Sequence, residues 1–495
     1  MVFNSYTFIA FFIVMLILHN LPFSWKTKKI NLLLASYIFY AAWNPPFILL
    51  LWLSTVVDYF VGRALYNQQN KHKRKLLLVI SLIGNLGMLC FFKYGGFLLE
   101  NFTSLVNALG MDFHPAKPNI ILPAGISFYT FTTLCYTIDM YKRKSEPVRS
   151  LLDFSLFVTF FPHLVAGPIV RPPQLVPQFE TPRKANQQQM MQGLLLISLG
   201  LFMKVVLADS MLAPTANDIF YPGGSPLTTI DAWMGVLAFS GQIFCDFAGY
   251  STCAVGVALC LGFVLPQNFL YPYAAVGFSD FWRRWHITLS AWLRDYLYIP
   301  LGGNRKGKFR TQLNLMITML LGGLWHGANW TFVVWGALHG AYLWIEKILQ
   351  DLTGKRKNTT VGDLPRATHE EKGISNPEHK PKTFVNFIYA MITFFFINVT
   401  WVFFRAPDFK SAWAMLKSMF SSVPKAEAYL TTLAIIKVSV LIVLIVAFHW
   451  LMRNTRVLIV AEKMPWWLLG IIWSVLLLLL IWSQESSSSF IYFQF

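Results

Sequence analysis

Long apolar runs recur along the whole chain and constrain its fold more than any other feature. Runs of about 18 or more apolar residues can span the hydrocarbon core of a bilayer as a helix. The 495-residue chain is 55% hydrophobic and only 13% charged, with a mean hydropathy of +0.50, whereas an ordinary soluble protein is about one quarter charged. We therefore predict an all-α polytopic membrane protein. The apolar segments fall near 6–23, 29–43, 46–62, 76–94, 118–140, 151–170, 190–209, 228–245, 248–266, 313–327, 330–347, 383–404, 430–452 and 465–483.

The direction of the crossings follows from the basic residues. Several segments are too short to span alone, so we expect about eleven transmembrane helices plus re-entrant pieces. Lys and Arg cluster in every second loop up to residue 149, which places those loops in the cytoplasm and the N-terminus outside. The net charge of +18 lies in these clusters. It indicates membrane lipids as partners and not nucleic acid.

Residues 151–170 break this alternation. Arg171, Arg183 and Lys184 follow a segment that should end outside, and the segment closes with FPHLVAGPIVRPP. We therefore predict a re-entrant hairpin that returns to the cytoplasmic side. Non-helical backbone at membrane depth persists only where protein or a water-filled cavity satisfies its polar groups. The segment thus predicts a cavity near the centre of the protein.

The most basic and aromatic stretch of the chain is 272–312. Its apolar positions Phe281, Trp285, Leu289 and Trp292 recur every three to four residues, which predicts an amphipathic helix. Trp and Tyr beside Arg at this density are typical of a helix that lies at the headgroup level.

The rest of the organisation is simple. Residues 351–382 are polar, mixed in charge and broken by Pro and Gly, which predicts a flexible cytoplasmic loop. The five cysteines form no CxxC pair, so neither a metal site nor a disulfide framework is expected. We expect one integral-membrane domain over 1–495, with its core at 118–347.

One histidine stands out among the ten. His326 lies in LGGLWHGANW, about 20 Å into a helix that should begin near Leu313. An ionisable group at that depth is a candidate functional residue, although a neutral histidine that ties two helices together would also fit. Burial favours the neutral imidazole, which can act as a general base towards an alcohol. The glycines at 322, 323 and 327 would let a ligand or another backbone come close.

A second candidate is His286, in FWRRWHITLS. The neighbouring Arg side chains could anchor the helix at headgroups, or they could bind an anionic cofactor through bidentate hydrogen bonds. His163 and His339 could line the same cavity. We assign substrate binding to polar and aromatic side chains around the two main candidates: Arg283, Arg284, Trp285, Arg294, Asp295, Trp325 and Asn329.

Two blocks of sequence carry a resemblance to a known family. FSDFWRRWHITLSAWLRDYLYIPLGGNRKG is followed by LGGLWHGANWTFVVWGALHG, and FPHLVAGPIVR, CDFAGYS and the FIYFQF tail add to the pattern. The chain resembles the membrane-bound O-acyltransferases, and within them the bacterial polysaccharide O-acetyltransferases of the alginate type.

The resemblance implies a fold, a site and an activity. It implies a helical bundle around a central tunnel in a bacterial inner membrane, with His326 and His286 as the catalytic pair. An acyl thioester, acetyl-CoA in our interpretation, would enter from the cytoplasm, with no permanently bound cofactor. The acceptor would be a hydroxyl of an exported polysaccharide or of an extracytoplasmic partner protein.

Three alternatives stay open at this point. A D-alanyl transferase of the teichoic-acid type would use an acyl carrier protein as donor. A transporter would use intramembrane histidines and broken helices without covalent chemistry. A structural scaffold of a polysaccharide export complex would need neither histidine.

Overall fold

The computed structural model describes residues 1–116, 118–221, 226–353, 383–421 and 426–483. These residues form helices, turns and irregular segments, and no strand occurs among them, so the all-α prediction is confirmed. The predicted loop at 351–382 lies outside the described residues except for its first three positions, as does the FIYFQF tail.

Twenty α-helices run through the described part of the chain. Their bounds are α1 Tyr6–Asn20, α2 Trp25–Ala41, α3 Ile48–Asn67, α4 Lys71–Leu89, α5 Gly95–Ala108, α6 Ile126–Tyr141, α7 Leu151–Thr159, α8 Pro172–Glu180, α9 Gln187–Leu201, α10 Ala213–Phe220, α11 Thr229–Cys260, α12 Phe278–Trp282, α13 Ile287–Leu293, α14 Lys308–His326, α15 Trp330–Leu352, α16 Phe384–Arg405, α17 Phe409–Phe420, α18 Thr432–Met452, α19 Val457–Lys463 and α20 Trp466–Trp482. Short 3₁₀ turns at Pro45–Phe47 and Pro272–Ala274 and π-helical turns at Cys90–Tyr94, Phe202–Leu212 and Arg294–Tyr298 complete the set.

Six helical stretches are long and apolar enough to cross a membrane among the described residues. The apolar helices α1 and α20 are shorter, and α14 and α15 are not among the six. These findings make the chain a multi-pass membrane protein. The count of about eleven crossings stays a prediction based on segment length. The six stretches are Pro45–Asn67, Lys71–Ala108, Gln187–Phe220, Thr229–Cys260, Phe384–Arg405 and Thr432–Met452.

The chain divides into two compact units. The first comprises Met1–Met190 and Val257–Leu265, and the second comprises Met191–Gly256 and Pro266–Phe495. The predicted site residues around His286 and His326 all belong to the second unit. One functional domain over 1–495, with its core at 118–347, stays a prediction.

A buried polar network joins α3, α4 and α6 in the first unit. Asp58 accepts hydrogen bonds from Ser81 at 2.6 Å and from Asn85 at 2.7 Å. The side-chain Oδ1 of Asn85 in turn accepts from the hydroxyls of Ser54 and Thr133, each at 3.0 Å. Interhelical hydrogen bonds of this kind stabilise helix association in a bilayer, where lipid is as apolar as the side chains.

The segment 151–170 does not form a crossing helix. Helix α7 has nine residues, whereas a span needs about 20, and 160–170 continue as buried irregular backbone. Protein groups satisfy part of that backbone, since the Phe161 N–H donates to Ser36 Oγ at 3.1 Å. His163 lies here, 3% exposed. The interpretation of 151–170 as a segment that does not cross is therefore supported.

The α14–α15 hairpin shapes the second unit. A Cβ on Gly323 would lie 2.2 Å from the Phe332 carbonyl oxygen, and one on Gly336 would lie 2.3 Å from that of Met319. Both positions need glycine because the two helices touch backbone to backbone. The sequence left open whether a ligand or another backbone approaches these glycines. At Gly323 the structure supports the close approach of another backbone.

The stretch 272–312 differs from the single amphipathic helix predicted from its pattern. It divides into α12, α13 and a π-helical turn, because His286 takes a left-handed conformation with φ 41° between the two helices. Its apolar positions are buried within the second unit: Phe281, Trp285 and Leu289 are each 1% exposed. The periodicity was correct, but these side chains face protein instead of headgroups.

Candidate active site

His286 lies at the point where α12 and α13 meet and is fully buried. Its left-handed backbone is uncommon for a residue with a side chain and is sustained only where the surroundings hold it. The chain holds it on both sides, because the Leu270 N–H donates to the Arg284 carbonyl and the Ile287 N–H to that of Asn268, both at 2.9 Å. The imidazole of His286 is therefore fixed by the backbone that carries it.

Asn268 sets the tautomer of His286. Asn268 Oδ1 lies 3.1 Å from His286 Nδ1 and also accepts from the backbone N–H and the hydroxyl of Thr288, at 3.2 and 2.9 Å. A backbone N–H can only donate, so the facing atom of Asn268 is its oxygen. His286 Nδ1 is therefore the protonated nitrogen, and Nε2 carries the lone pair. Burial lowers the pKa of His286 to about 3, so the ring is neutral at physiological pH.

His326 is the last residue of α14 and is 2% exposed. The helix begins at Lys308, five residues before the predicted start, and ends because Gly327 is extended at φ −160°. His326 thus occupies a helix end and not a helix interior. Aromatic rings surround the imidazole: the centroids of Trp325 and Trp335 are each 5.0 Å away and that of Phe404 is 5.3 Å away, all edge to face.

The indole of Trp325 contacts both candidate histidines. Its centroid is 5.9 Å from that of His286 and 5.0 Å from that of His326. Trp335 has the same relation to His326 and His339, at 5.0 and 4.5 Å. The fold therefore brings together two residues forty positions apart, as the resemblance implies, and adds His339 beyond them.

His339 is a buried hydrogen-bonding residue of the hairpin. Its Nε2 lies 3.2 Å from the Thr400 hydroxyl, which donates to the Ile397 carbonyl at 2.7 Å. Since a hydroxyl has one proton, Thr400 accepts from His339 Nε2–H. This contact ties α15 to α16.

The predicted arginines are placed in three different ways. Arg284 is fully buried and donates to Asp280 at 3.0 Å, and Arg453 binds the same carboxylate at 2.6 Å. This arrangement favours a structural role for Arg284. Arg294 forms a bidentate pair with Asp295, at 2.6 and 2.9 Å. Arg283 is 7% exposed.

Arg283 is the predicted arginine best suited to hold an anion. No carboxylate pairs with it in the described part of the chain. The exposed cations of the stretch lie further along, at Arg305, Lys306, Lys308 and Arg310. The four exposed cations can attract an anion, and Arg283 has no carboxylate to compete for it among the described residues.

The other predicted binding residues belong to the frame of the site. Trp285 stacks on Phe281 with centroids 5.7 Å apart and contacts Trp401 at 5.0 Å. Asn329 caps α15 by accepting from the Thr331 N–H at 3.0 Å and donates to the Pro407 carbonyl at 2.8 Å. Both side chains hold the elements that carry the histidines.

Sequence reasoning missed Asn268. It lies 18 residues before His286, in the irregular segment PQNFLYPY, where an amide side chain is ordinary. Arg284 did carry a usable signal, because Asp280 four residues earlier lies in position for an ion pair on one helix face. Arg284 also donates to the Arg453 carbonyl, 169 positions away in the chain, and no local pattern predicts that contact.

Comparisons with known proteins identify the family. The membrane-bound O-acyltransferase family model matches residues 138–361, which include both histidines. The probable alginate O-acetylase AlgI of Pseudomonas aeruginosa is 39% identical over 423 residues, which cover 85% of this chain and 75% of that protein.

Two further relatives are named for different activities. The peptidoglycan O-acetyltransferase of Helicobacter pylori is 38% identical over 440 residues, covering 83% of this chain and 76% of that protein. The teichoic acid D-alanyltransferase of Streptococcus thermophilus is 30% identical over 296 residues, covering 56% and 69%. From the family model, these relatives and the buried histidine pair, we conclude that the chain belongs to the membrane-bound O-acyltransferase family and is an O-acyltransferase.

Proposed function

We propose that the protein transfers an acetyl group from acetyl-CoA in the cytoplasm to a hydroxyl on the other side of the membrane. The single observation that carries the proposal is that His286 and His326 are both buried and contact the same indole, Trp325. The acceptor is a sugar of an exported polysaccharide or a hydroxyl of an extracytoplasmic partner protein.

His326 acts as the general base in this proposal. It removes the proton of the acceptor hydroxyl as the oxygen attacks the thioester carbonyl. The new C–O bond forms, the C–S bond breaks, and the proton passes from His326 to the departing thiolate. General base catalysis of this kind contributes about 10²–10⁴-fold to a rate.

His286 positions the reacting groups. With Nδ1–H held by Asn268, its Nε2 can accept a hydrogen bond from the acceptor hydroxyl. The aromatic rings around both histidines exclude water, which protects the thioester from hydrolysis.

The cationic stretch supports an anionic donor. The exposed side chains of Arg305, Lys306, Lys308 and Arg310 would attract the phosphates of CoA, and Arg283 would hold one of them. Basic loops on the cytoplasmic side and an outward N-terminus would put this stretch on the side from which acetyl-CoA arrives. We place the protein in a bacterial inner membrane because the relatives that it resembles are bacterial membrane-bound O-acyltransferases.

The comparisons favour acetyl over D-alanyl transfer. The acetyltransferase relatives align over most of this chain at 38–39% identity, whereas the D-alanyltransferase of Streptococcus thermophilus aligns over 56% of it at 30%. Alginate and peptidoglycan are therefore the acceptor classes to test first, and an acetyltransferase or a polysaccharide export protein outside the membrane is the expected partner.

Release of free CoA thiol tests the proposal. The purified protein in nanodiscs receives acetyl-CoA with or without an oligosaccharide acceptor. We expect thiol release that depends on the acceptor and a matched gain of acetyl ester. A transporter or a scaffold would release no thiol, and release from a carrier-protein thioester of D-alanine alone would favour the D-alanyl alternative.

A further inference from the structure

A cavity of about 390 Å³ lies in the second unit, and neither candidate catalytic histidine lines it. We call it the lateral cavity. Its wall is formed by one face each of 196–207, α11 and α18, together with 267–271 and 456–458. Its volume is within the range of about 300–1,000 Å³ that small-molecule sites occupy.

The lateral cavity is elongated along the helices that line it. Along α11 its lining residues run from Phe244 to Val255, which is about 16 Å at the rise of an α-helix. On α18 the lining residues Leu441, Leu444 and Phe448 recur every three to four positions and therefore share one helix face. The occupant that fits is long, narrow and apolar.

The lateral cavity opens towards the hydrocarbon of the bilayer. Leu444 and Phe448 line it and are also 58% and 47% exposed at the surface of the protein. Both lie on α18, which is one of the six helices long and apolar enough to cross a membrane. An occupant therefore enters sideways from the lipid phase.

Three polar side chains of the lateral cavity can donate hydrogen bonds, and Gln267 Oε1 is a buried acceptor without a partner among the described residues. Arg456 lines it beyond the end of α18 and has no carboxylate partner within the described ranges. The hydroxyl of Ser251 and the Asn268 Nδ2 amide are buried and find no acceptor among the described residues. Buried donors of this kind are normally satisfied, so the occupant should bring oxygen acceptors and a negative charge.

We propose that the lateral cavity binds an anionic phospholipid, with one acyl chain along α11 and α18 and its phosphate on Arg456. A phosphodiester and its ester carbonyls offer acceptors to Arg456, Ser251 and Asn268. The glycerol hydroxyls of phosphatidylglycerol can donate to Gln267 Oε1. Neither candidate catalytic histidine lines this lipid site. The lipid site nevertheless bears on the geometry of the candidate active site, because Asn268 belongs both to the cavity wall and to the hydrogen bonds that hold His286.

Native mass spectrometry and cross-linking of the full chain test the proposal. The probes are phosphatidylglycerol and phosphatidylcholine with the same chains, each with a diazirine in one acyl chain. We expect phosphatidylglycerol to bind at least tenfold tighter. Its cross-links should map to 196–207, to 244–255 and to 441–448.

Two substitutions sharpen this test. Arg456→Gln should remove the preference for the anionic lipid, whereas Lys463→Gln, which deletes an exposed charge at the end of α19, should keep it. Thr252→Phe, which fills the cavity from α11, should abolish cross-links to α18. Equal binding of both lipids, cross-links outside the three segments, or loss of the cross-links on adding acetyl-CoA would each overturn the proposal. The last result would make the cavity a passage for the donor.

Discussion

The two candidate histidines are both buried among aromatic rings, but they lie in different backbone settings. His286 has a left-handed backbone and a directional hydrogen bond to Asn268. The ring of His326 is enclosed by Trp325, Trp335 and Phe404 at the end of a long helix. Hydrogen bonds fix a tautomer and a direction, whereas edge-to-face rings fix a position and exclude water.

The difference indicates a division of labour. A residue with a set tautomer suits the orientation of a hydroxyl, which supports a positioning role for His286. The two histidines also depend on different parts of the fold: His286 on the segment with Asn268, and His326 on the backbone contact between α14 and α15. Substitutions can therefore disturb one without the other.

Outside the two histidines, the largest effect should come from the α14–α15 hairpin. Gly323→Ala places a Cβ against the Phe332 carbonyl oxygen at 2.2 Å, so α14 and α15 must separate, and a displacement of about 1 Å at His326 costs on the order of a hundredfold in rate. The loss would occur although Ala favours helix over Gly by about 1 kcal/mol. Acetyl transfer in nanodiscs measures it.

Gly322→Ala is the matched control for that substitution. The nearest atom to its Cβ is the tip of Leu293 at 3.2 Å, which can move. Equal losses for the two variants would show that the backbone contact does not hold His326.

A smaller effect should follow Asn268→Ala. His286 and Thr288 lose their shared acceptor, and a net hydrogen bond is worth about 1 kcal/mol, so we expect transfer to fall about fivefold. ¹⁵N spectra should show the Nδ1–H tautomer of His286 in the parent and a mixture in the variant. An unchanged tautomer would mean that Asn268 does not orient the ring.

A still smaller effect is expected at His339. Its Nε2–H donates to Thr400, and His339→Gln keeps an N–H donor, so the transfer rate should stay within about threefold of the parent. A loss as large as that of a His326 variant would extend the catalytic role to His339.

The protonation state of His286 should not change with pH in the physiological range. Its folded pKa is lowered to about 3 from the usual value of about 6.5, so the ring stays neutral from pH 8 to pH 5. Protonation in the unfolded chain below about pH 6.5 then favours unfolding. Its ¹⁵N resonances, assigned by loss in His286→Ala, should not move between pH 8 and pH 5. A midpoint near pH 6.5 would contradict this placement.

Much of the fold and part of the site could be predicted from the sequence. Apolar length predicted the membrane helices, and the Pro- and Gly-rich close of 151–170 predicted a segment that does not cross. Long-range partners could not be predicted, because they meet only after folding. Examples are Arg453 on Asp280 and the buried Lys204 Nζ, which lies 2.9 Å from Asp209 and 2.5 Å from Asp246.

The predicted position of Arg284 and its aromatic neighbours at the headgroup level was the other failure, because these side chains are buried in protein. Arg, Trp and Tyr together are typical of a membrane interface, but a carboxylate at the right spacing lets Arg be buried instead, as Asp280 does for Arg284. His326 was singled out from its own surroundings. His286 was assigned its catalytic role only through the family resemblance.

Single-turnover transfer of labelled acetyl by His326→Ala tests the central claim most directly. The purified variant and the parent, matched for thermal stability, are mixed with acetyl-CoA and acceptor in nanodiscs, and donor binding is measured in parallel. We expect donor affinity within about twofold of the parent and a transfer rate lower by about 10²–10⁴-fold. A transfer rate equal to that of the parent would show that His326 is not the general base.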